Sequence, residues 1–189
     1  MTDPVEQSPE VHYWSATQRL PDRHCHTVEH SFRVMGYAVQ LAERLELDAT
    51  LVSEIRVASL LHDIGKQAIP ARILNKPDAL TPDEWRLIRL HPRIGSGMAT
   101  SLGYNESVRA MVLHHHEHWD GSGYPTGLQA VDIPVGARVI AMADVFDALT
   151  SPRSYRSALD ARTALGVMRA EAGTILDPFM FLTFRALVR

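Results

Sequence analysis

The sequence has a single cysteine, Cys25, in 189 residues. One thiol makes no internal disulfide and no cysteine-based zinc finger, and this scarcity fits a reducing compartment. No apolar run approaches the roughly 18 residues of a membrane span. The opening stretch, MTDPVEQSPE, is acidic and proline-bearing, the pattern of neither a signal peptide nor a transit peptide. Basic residues do not outnumber acidic ones: 19 Lys and Arg stand against 22 Asp and Glu, for a net charge of -3. No broad positive field therefore exists to hold DNA or RNA, and an anionic substrate must be gripped by local charge. No stretch alternates apolar and polar residues over a strand's length, so nothing signals a sheet. What survives is a cytoplasmic enzyme or binding module of one all-α domain. A chain of this length buries roughly 70% of its unfolded surface and needs no staple to have a core.

What the sequence has in excess is histidine. Nine of the ten lie between His24 and His118, and none follows. Histidine is the commonest metal ligand and titrates near neutrality. These residues fall on predicted helices. Residues 1–23 lack a clear period and read as an irregular arm, with Trp14 as the residue able to pin it to the body. From His26 to Leu47 the positions Val34, Ala38, Leu41 and Leu45 recur at helical spacing. Asp48 is placed to cap a helix that runs into His62-Asp63. Thr81-Pro82-Asp83-Glu84 is a capping box with proline at the first helical position. Further helices are expected after Pro92, from Asn105 to His118, from Pro134 to Leu149, after Asp160 and after Asp177-Pro178. Asp120 to Pro125, with two glycines and a proline, reads as a loop.

Several residues on this scaffold can carry chemistry, each with a plainer alternative. His26 and His30 share one helix face; a surface pair would look the same. Asp63 follows an apolar stripe, where a carboxylate is costly unless paired or bound to metal. Lys66 leans over the same face, either as an ordinary partner for Asp63 or as a cation for phosphate. His91 precedes Pro92, which favours extended backbone at that position. Within His114-His115-His116-Glu117-His118, consecutive residues of a helix turn about 100° each, so two of the first three can face one site. Asp144 interrupts an apolar helix and needs a partner, with Asp147 on nearly the same face as its support or as a surface acid. Arg153 and Arg156 follow as solvated charges or as phosphate-binding forks. Imidazole with carboxylate and no thiolate suits iron, manganese or zinc, and there are too many ligands for one closed site. A two-metal hydrolase fits, in which ions about 3.5–4 Å apart generate hydroxide and clamp a phosphoryl group. No serine or cysteine nucleophile accompanies the cluster.

At His62-Asp63-Ile64-Gly65-Lys66 the sequence resembles the HD superfamily of metal-dependent phosphohydrolases. His115-His116-Glu117, followed by Asp120-Gly121-Ser122-Gly123-Tyr124-Pro125, narrows the resemblance to the HD-GYP branch. His91-Pro92, Gly95, Gly127-Leu128, Ile133-Pro134, Ala143-Asp144, Asp147 to Thr150 and Arg153 to Arg156 agree in order. The likeness runs over residues 24–189. It implies an all-α helical bundle of about seven to nine helices around a metal centre, preceded by the 1–23 arm. It implies a bacterial enzyme that hydrolyses cyclic di-GMP to pGpG, and often on to GMP, by attack of a metal-bound hydroxide. It also implies metal ligands at His30, His62, Asp63, His91, His115, His116 and Asp144, with Asp63 bridging. Lys66, Arg153 and Arg156 would face phosphate. Asp63 and Lys66 would be the catalytic pair, and Tyr124 would edge the substrate site. The Gly-Tyr-Pro loop could also contact a diguanylate cyclase or another signalling protein.

One position departs from the family. Relatives with three metals carry a glutamate where this chain has His26, and an imidazole cannot bridge as a carboxylate does. Two iron or manganese ions are expected rather than three, with His26 a terminal ligand or a support for one. Ring opening should then outpace conversion of pGpG to GMP. Residues 1–23 are too few for a receiver or sensor domain, so the sequence reads as a free-standing catalytic domain or a piece of a longer chain. The alternatives are a sensor or docking module that binds the nucleotide without turnover, and an HD phosphohydrolase for another cyclic dinucleotide.

Overall fold

The computed structural model describes residues 25–152 and 157–188, with side chains described from residue 28 onward. The 1–23 arm with Trp14, the side chain of His26, and both Arg153 and Arg156 lie outside the described residues. The helices are α1 (Cys25–Arg44), α2 (Ala49–Leu61), α3 (Ala71–Leu74), α4 (Pro82–Ile88), α5 (His91–Ser101), α6 (Glu106–His114), α7 (Val135–Thr150), α8 (Ala161–Glu171) and α9 (Pro178–Leu187). Two 3-10 turns, Ile64–Ala68 and Ala130–Asp132, link them. The described residues contain no strand, only an isolated bridge between Ala172 and Leu176. No helix among them is long and apolar enough to cross a membrane.

The expected caps start their helices. Asp48, Asn105, Asp160 and Asp177 each accept a hydrogen bond from a backbone N–H of the first turn, satisfying donors with no helical partner. At α4 the box is reciprocal: Thr81 accepts from the Glu84 amide while the Glu84 carboxylate accepts from the Thr81 amide at 2.7 Å.

The apolar stripe of α1 (Val34, Ala38, Leu41, Ala42) meets Ile55, Ala58 and Leu61 of α2 and Ile140 and Ala143 of α7 in one core. Each fully buried large side chain contributes roughly 1.5–3 kcal/mol. Tyr37, Phe146 and Phe184 form an edge-to-face trio with centroids 5.0–6.3 Å apart, tying α1, α7 and α9 together. That packing turns the Asp144 and Asp147 side of α7 toward α1.

Three boundaries differ from the sequence pattern. Helix α1 stops at Arg44 because Glu46 takes a left-handed φ of 56°, and the amides of Leu47 and Glu46 bond back to Ala42 and Glu43. Leu45 and Leu47 still pack on the core, so the apolar period outlasts the helix. His91 stands in the first turn of α5 rather than in extended backbone, with Pro92 at a position where no N–H is needed. Helix α6 ends at His114 rather than His118.

Candidate metal centre

Seven side chains from five regions converge. Asp63, His91, His115 and His116 offer ligand atoms that all lie within 4.8 Å of one another, and His30, His62 and Asp144 form a second such group. His30 comes from α1, His62 and Asp63 from the end of α2, His91 from the start of α5, His115 and His116 from just beyond α6, and Asp144 from α7.

The rings are oriented by what holds their other nitrogen. The Nδ1 of His62, His91 and His115 lies 2.6, 2.8 and 2.8 Å from the carbonyl oxygens of Ser59, Ile88 and Val112. A carbonyl only accepts, so each Nδ1 carries the proton and each Nε2 keeps its lone pair. Those lone pairs meet across the cluster. The Nε2 atoms of His91 and His115 stand 3.4 Å apart, two acceptors with no proton to share, and the buried Nε2 of His62 has no hydrogen-bond partner. The buried Oδ1 of Asp63 is likewise without one. Such groups are costly in a protein interior unless a cation sits among them. This donor set fits transition-metal ions.

Asp63 stands between the two groups. Its Oδ1 is 3.2 Å from His91 Nε2, and its Oδ2 is 3.5 Å from His62 Nε2 and 3.9 Å from His30 Nε2. Lys66 Nζ donates to the same Oδ2 at 2.6 Å, so the ion pair expected as the plainer alternative is present. Burial alone would raise the Asp63 carboxyl, but the Lys66 ammonium above all holds it well below the usual carboxylate range. Asp144 is also held low, because its bond from His30 outweighs burial. Burial would depress His30; instead its bonds to Asp144 and Asp147 raise it to about 9, so a cation binding at Nε2 would displace a proton there. His115 and His116 go the other way: burial above all pushes the first well below its usual value and the second down to about 3. Both are neutral at pH 7 and ready to donate a lone pair.

A loop closes one edge. Tyr124 stacks on His116 with centroids 4.9 Å apart, the Arg89 guanidinium lies 5.2 Å from the Tyr124 ring centre, and Arg93 donates to the Pro125 carbonyl at 3.1 Å. The anchor is Glu117. Its buried carboxylate accepts from the backbone amides of Thr126, Gly127 and Leu128 at 2.8–3.1 Å. Gly123 passes so close to residues 117 and 118 that a β-carbon would come within 2.2 Å of the His118 nitrogen.

The structure thus gathers His30, His62, Asp63, His91, His115, His116 and Asp144, with Lys66 and Tyr124 at the margin. His114 is left out, its Nδ1 turned 3.3 Å from Glu117. Asp144 is partly exposed rather than fully buried, and its partner is His30 at 3.2 Å. Sequence reasoning gave Glu117 no task and left Asp147 open. Its only signals were an acid followed by a glycine ten residues on, and an acid one turn from Asp144.

An HD domain model matches residues 16–180, and the chain belongs to the HD domain family. It is 44% identical over 170 residues to the cyclic di-GMP phosphodiesterase PA4108 of Pseudomonas aeruginosa, covering 88% of this chain and 40% of that protein. It is 45% identical over 148 residues to the cyclic di-GMP phosphodiesterase response regulator RpfG of Xanthomonas campestris, covering 77% and 39%. The chain therefore spans about two fifths of the length of these relatives. Among solved structures, a cyclic GMP-AMP specific phosphodiesterase of Vibrio cholerae matches with a TM-score of 0.69 at 22% identity, over 85% of this chain and 44% of that one. That likeness is one of fold.

Proposed function

We propose that this chain is the HD-GYP catalytic domain of a phosphodiesterase that opens cyclic di-GMP to pGpG, using two iron or manganese ions. The observation that carries the reading is the convergence of seven His and Asp side chains in two groups, with His62 Nε2 and Asp63 Oδ1 buried and unpartnered, beside Lys66 and the Gly-Tyr-Pro loop. His30, His62 and Asp144 would hold one ion; His91, His115 and His116 would hold the other; Asp63 would lend one oxygen to each. Such ions, when bound, lower the pKa of water and neutralise charge on a phosphoryl oxygen.

The chain's own residues do the rest. Lys66 exchanges its bond to Asp63 for one to a phosphate oxygen, drawing the scissile phosphate to the centre. Arg153 and Arg156 hold phosphate through guanidinium forks, which match its geometry better than an ammonium does. Tyr124 walls the site at His116, and Glu117 keeps that wall in place through three backbone amides. With His26 where three-metal relatives have glutamate, ring opening outpaces the second cleavage. The loop surface at Gly123-Tyr124-Pro125 is the face offered to a partner such as a diguanylate cyclase.

The test is to load the protein anaerobically with iron or with manganese, supply cyclic di-GMP and 3'3'-cyclic GMP-AMP separately, and chromatograph the products over time. Transient pGpG from cyclic di-GMP is the expected result. Faster cleavage of the mixed dinucleotide would reassign the substrate. Binding of either without turnover would make the domain a sensor.

A further inference from the structure

His30 is anchored unlike the other ring ligands whose Nδ1 bonds are described. His62, His91 and His115 each lean on a backbone carbonyl three residues earlier. His30 lies within the continuous α1, where the nearby carbonyls serve the helix ladder, and its Nδ1 instead meets Asp147 Oδ2 at 2.7 Å, a carboxylate from α7. Asp147 is 2% exposed and fully engaged. Its Oδ1 accepts from Arg33 Nε at 2.6 Å and from Ser151 Oγ at 3.2 Å, and its Oδ2 accepts from His30 and from Arg33 Nη2 at 3.2 Å. A carboxylate gripped at both oxygens cannot rotate. It belongs to neither ligand group, so it reaches the centre only through His30.

We infer that Asp147, clamped by Arg33, is a positioning residue that fixes His30 with its Nε2 directed at Asp144, and so governs the ion held by His30, His62 and Asp144. This rests on the metal-dependent reading above. A carboxylate can only accept from Nδ1, so it enforces one tautomer, and its charge makes Nε2 a better donor to a cation. Asp63, His91 and His115 have supports of their own in Lys66 and the carbonyls of Ile88 and Val112, so the ion they hold should not depend on Asp147. The consequence is selective: disturbing Asp147 weakens one ion and spares its neighbour.

The isosteric variant Asp147→Asn tests this. With Arg33 claiming the amide oxygen, the amide NH2 faces His30 Nδ1, the ring proton shifts to Nε2, and the ligand is blocked. The experiment is a calorimetric titration with Mn2+ alone, with metal counted after gel filtration and thermal unfolding recorded for each variant. Wild type should take two ions. Asp147→Asn should keep one at unchanged affinity and bind the other 10–100-fold more weakly, in line with losses typical of such supports. Arg33→Gln should weaken the same ion to a smaller degree, and Arg33→Lys should restore part of it. Two ions at wild-type affinity in Asp147→Asn would overturn the inference, as would equal loss of both. If Asp147→Asn does not fold, the arginine variants decide by the same criteria. A wild type that binds two Mn2+ yet cleaves no cyclic dinucleotide would refute the phosphodiesterase reading and leave this one standing. A wild type that binds no Mn2+ would overturn both.

Discussion

A single methyl group at Gly65 should disable the centre from outside it. The 3-10 turn after His62-Asp63 lies so close to α5 that a β-carbon on Gly65 would stand 2.0 Å from the His91 carbonyl oxygen, 2.6 Å from the Gly95 nitrogen and 2.9 Å from the His91 carbonyl carbon. All three are backbone atoms, so no rotamer change relieves the clash. Ordinary contact begins near 3.4 Å, and the turn must retreat by about 1.4 Å from α5 to reach it. The gap opens between Asp63 on the turn side and His91 on α5, which now stand 3.2 Å apart. Overpacking of this kind costs roughly 1–3 kcal/mol. At about 2–4 °C per kcal/mol for a chain of this size, Gly65→Ala should lower Tm by roughly 2–12 °C. Mn2+ affinity should fall first at the group containing Asp63 and His91. Gly97→Ala is the control: nothing lies within 4 Å of its β-carbon, and exchanging a helical glycine for alanine should add about 0.5–1 kcal/mol. Calorimetry and Mn2+ titration on both variants check the argument. A Gly65→Ala protein with wild-type Tm and wild-type Mn2+ affinity would refute it.

Other expectations follow from the same geometry. Lys66→Ala removes the bond to Asp63 Oδ2 but no ligand, so Mn2+ stoichiometry should hold while kcat/KM for cyclic di-GMP falls, with Lys66→Arg only partly restoring it; unchanged kinetics would leave Lys66 a mere partner of Asp63. Glu117→Gln sets an amide NH2 against one of three backbone N–H donors, at a cost of about 1–3 kcal/mol; hydrogen exchange at Thr126, Gly127 and Leu128 should quicken before global unfolding. Thr81→Ala breaks the capping box far from the ligands, costing about 1 kcal/mol, read as a Tm lower by about 2–4 °C with Mn2+ binding untouched.

The helix starts were legible because each signal was local. Asp48, Thr81 with Glu84, Asn105, Asp160 and Asp177 announce helix starts through side-chain chemistry confined to one turn, and all five do so in the structure. Helix ends were harder. Leu47 packs on the core after the chain has left α1, so its place in the apolar period conceals the stop. Helical spacing allows two of His114, His115 and His116 to face one site, but it does not foresee that α6 ends at His114. Long-range partners were illegible. Asp147 meets His30 and Arg33 across 117 and 114 residues, and only the packing of α1 on α7 reveals which of two acids near one face is the support. Glu117 is similar: its acceptors serve amides of a loop that turns back on it, and no periodicity describes a loop.

The carbonyls that hold His62, His91 and His115 have a second meaning. Ser59, Ile88 and Val112 lie in the last turns of α2, α4 and α6, where carbonyl oxygens run out of helical partners. The imidazoles therefore finish three helices as well as lining the centre. Each of these helix ends has a partial negative charge, and each holds an imidazole of the centre, which favours a cation there beyond what the carboxylates supply. An aspartate in any of these three places could coordinate an ion, but it would donate nothing to the carbonyl behind it and would add a negative charge to a negative helix end. The choice of imidazole over carboxylate at these positions is set by the helices as much as by the metal.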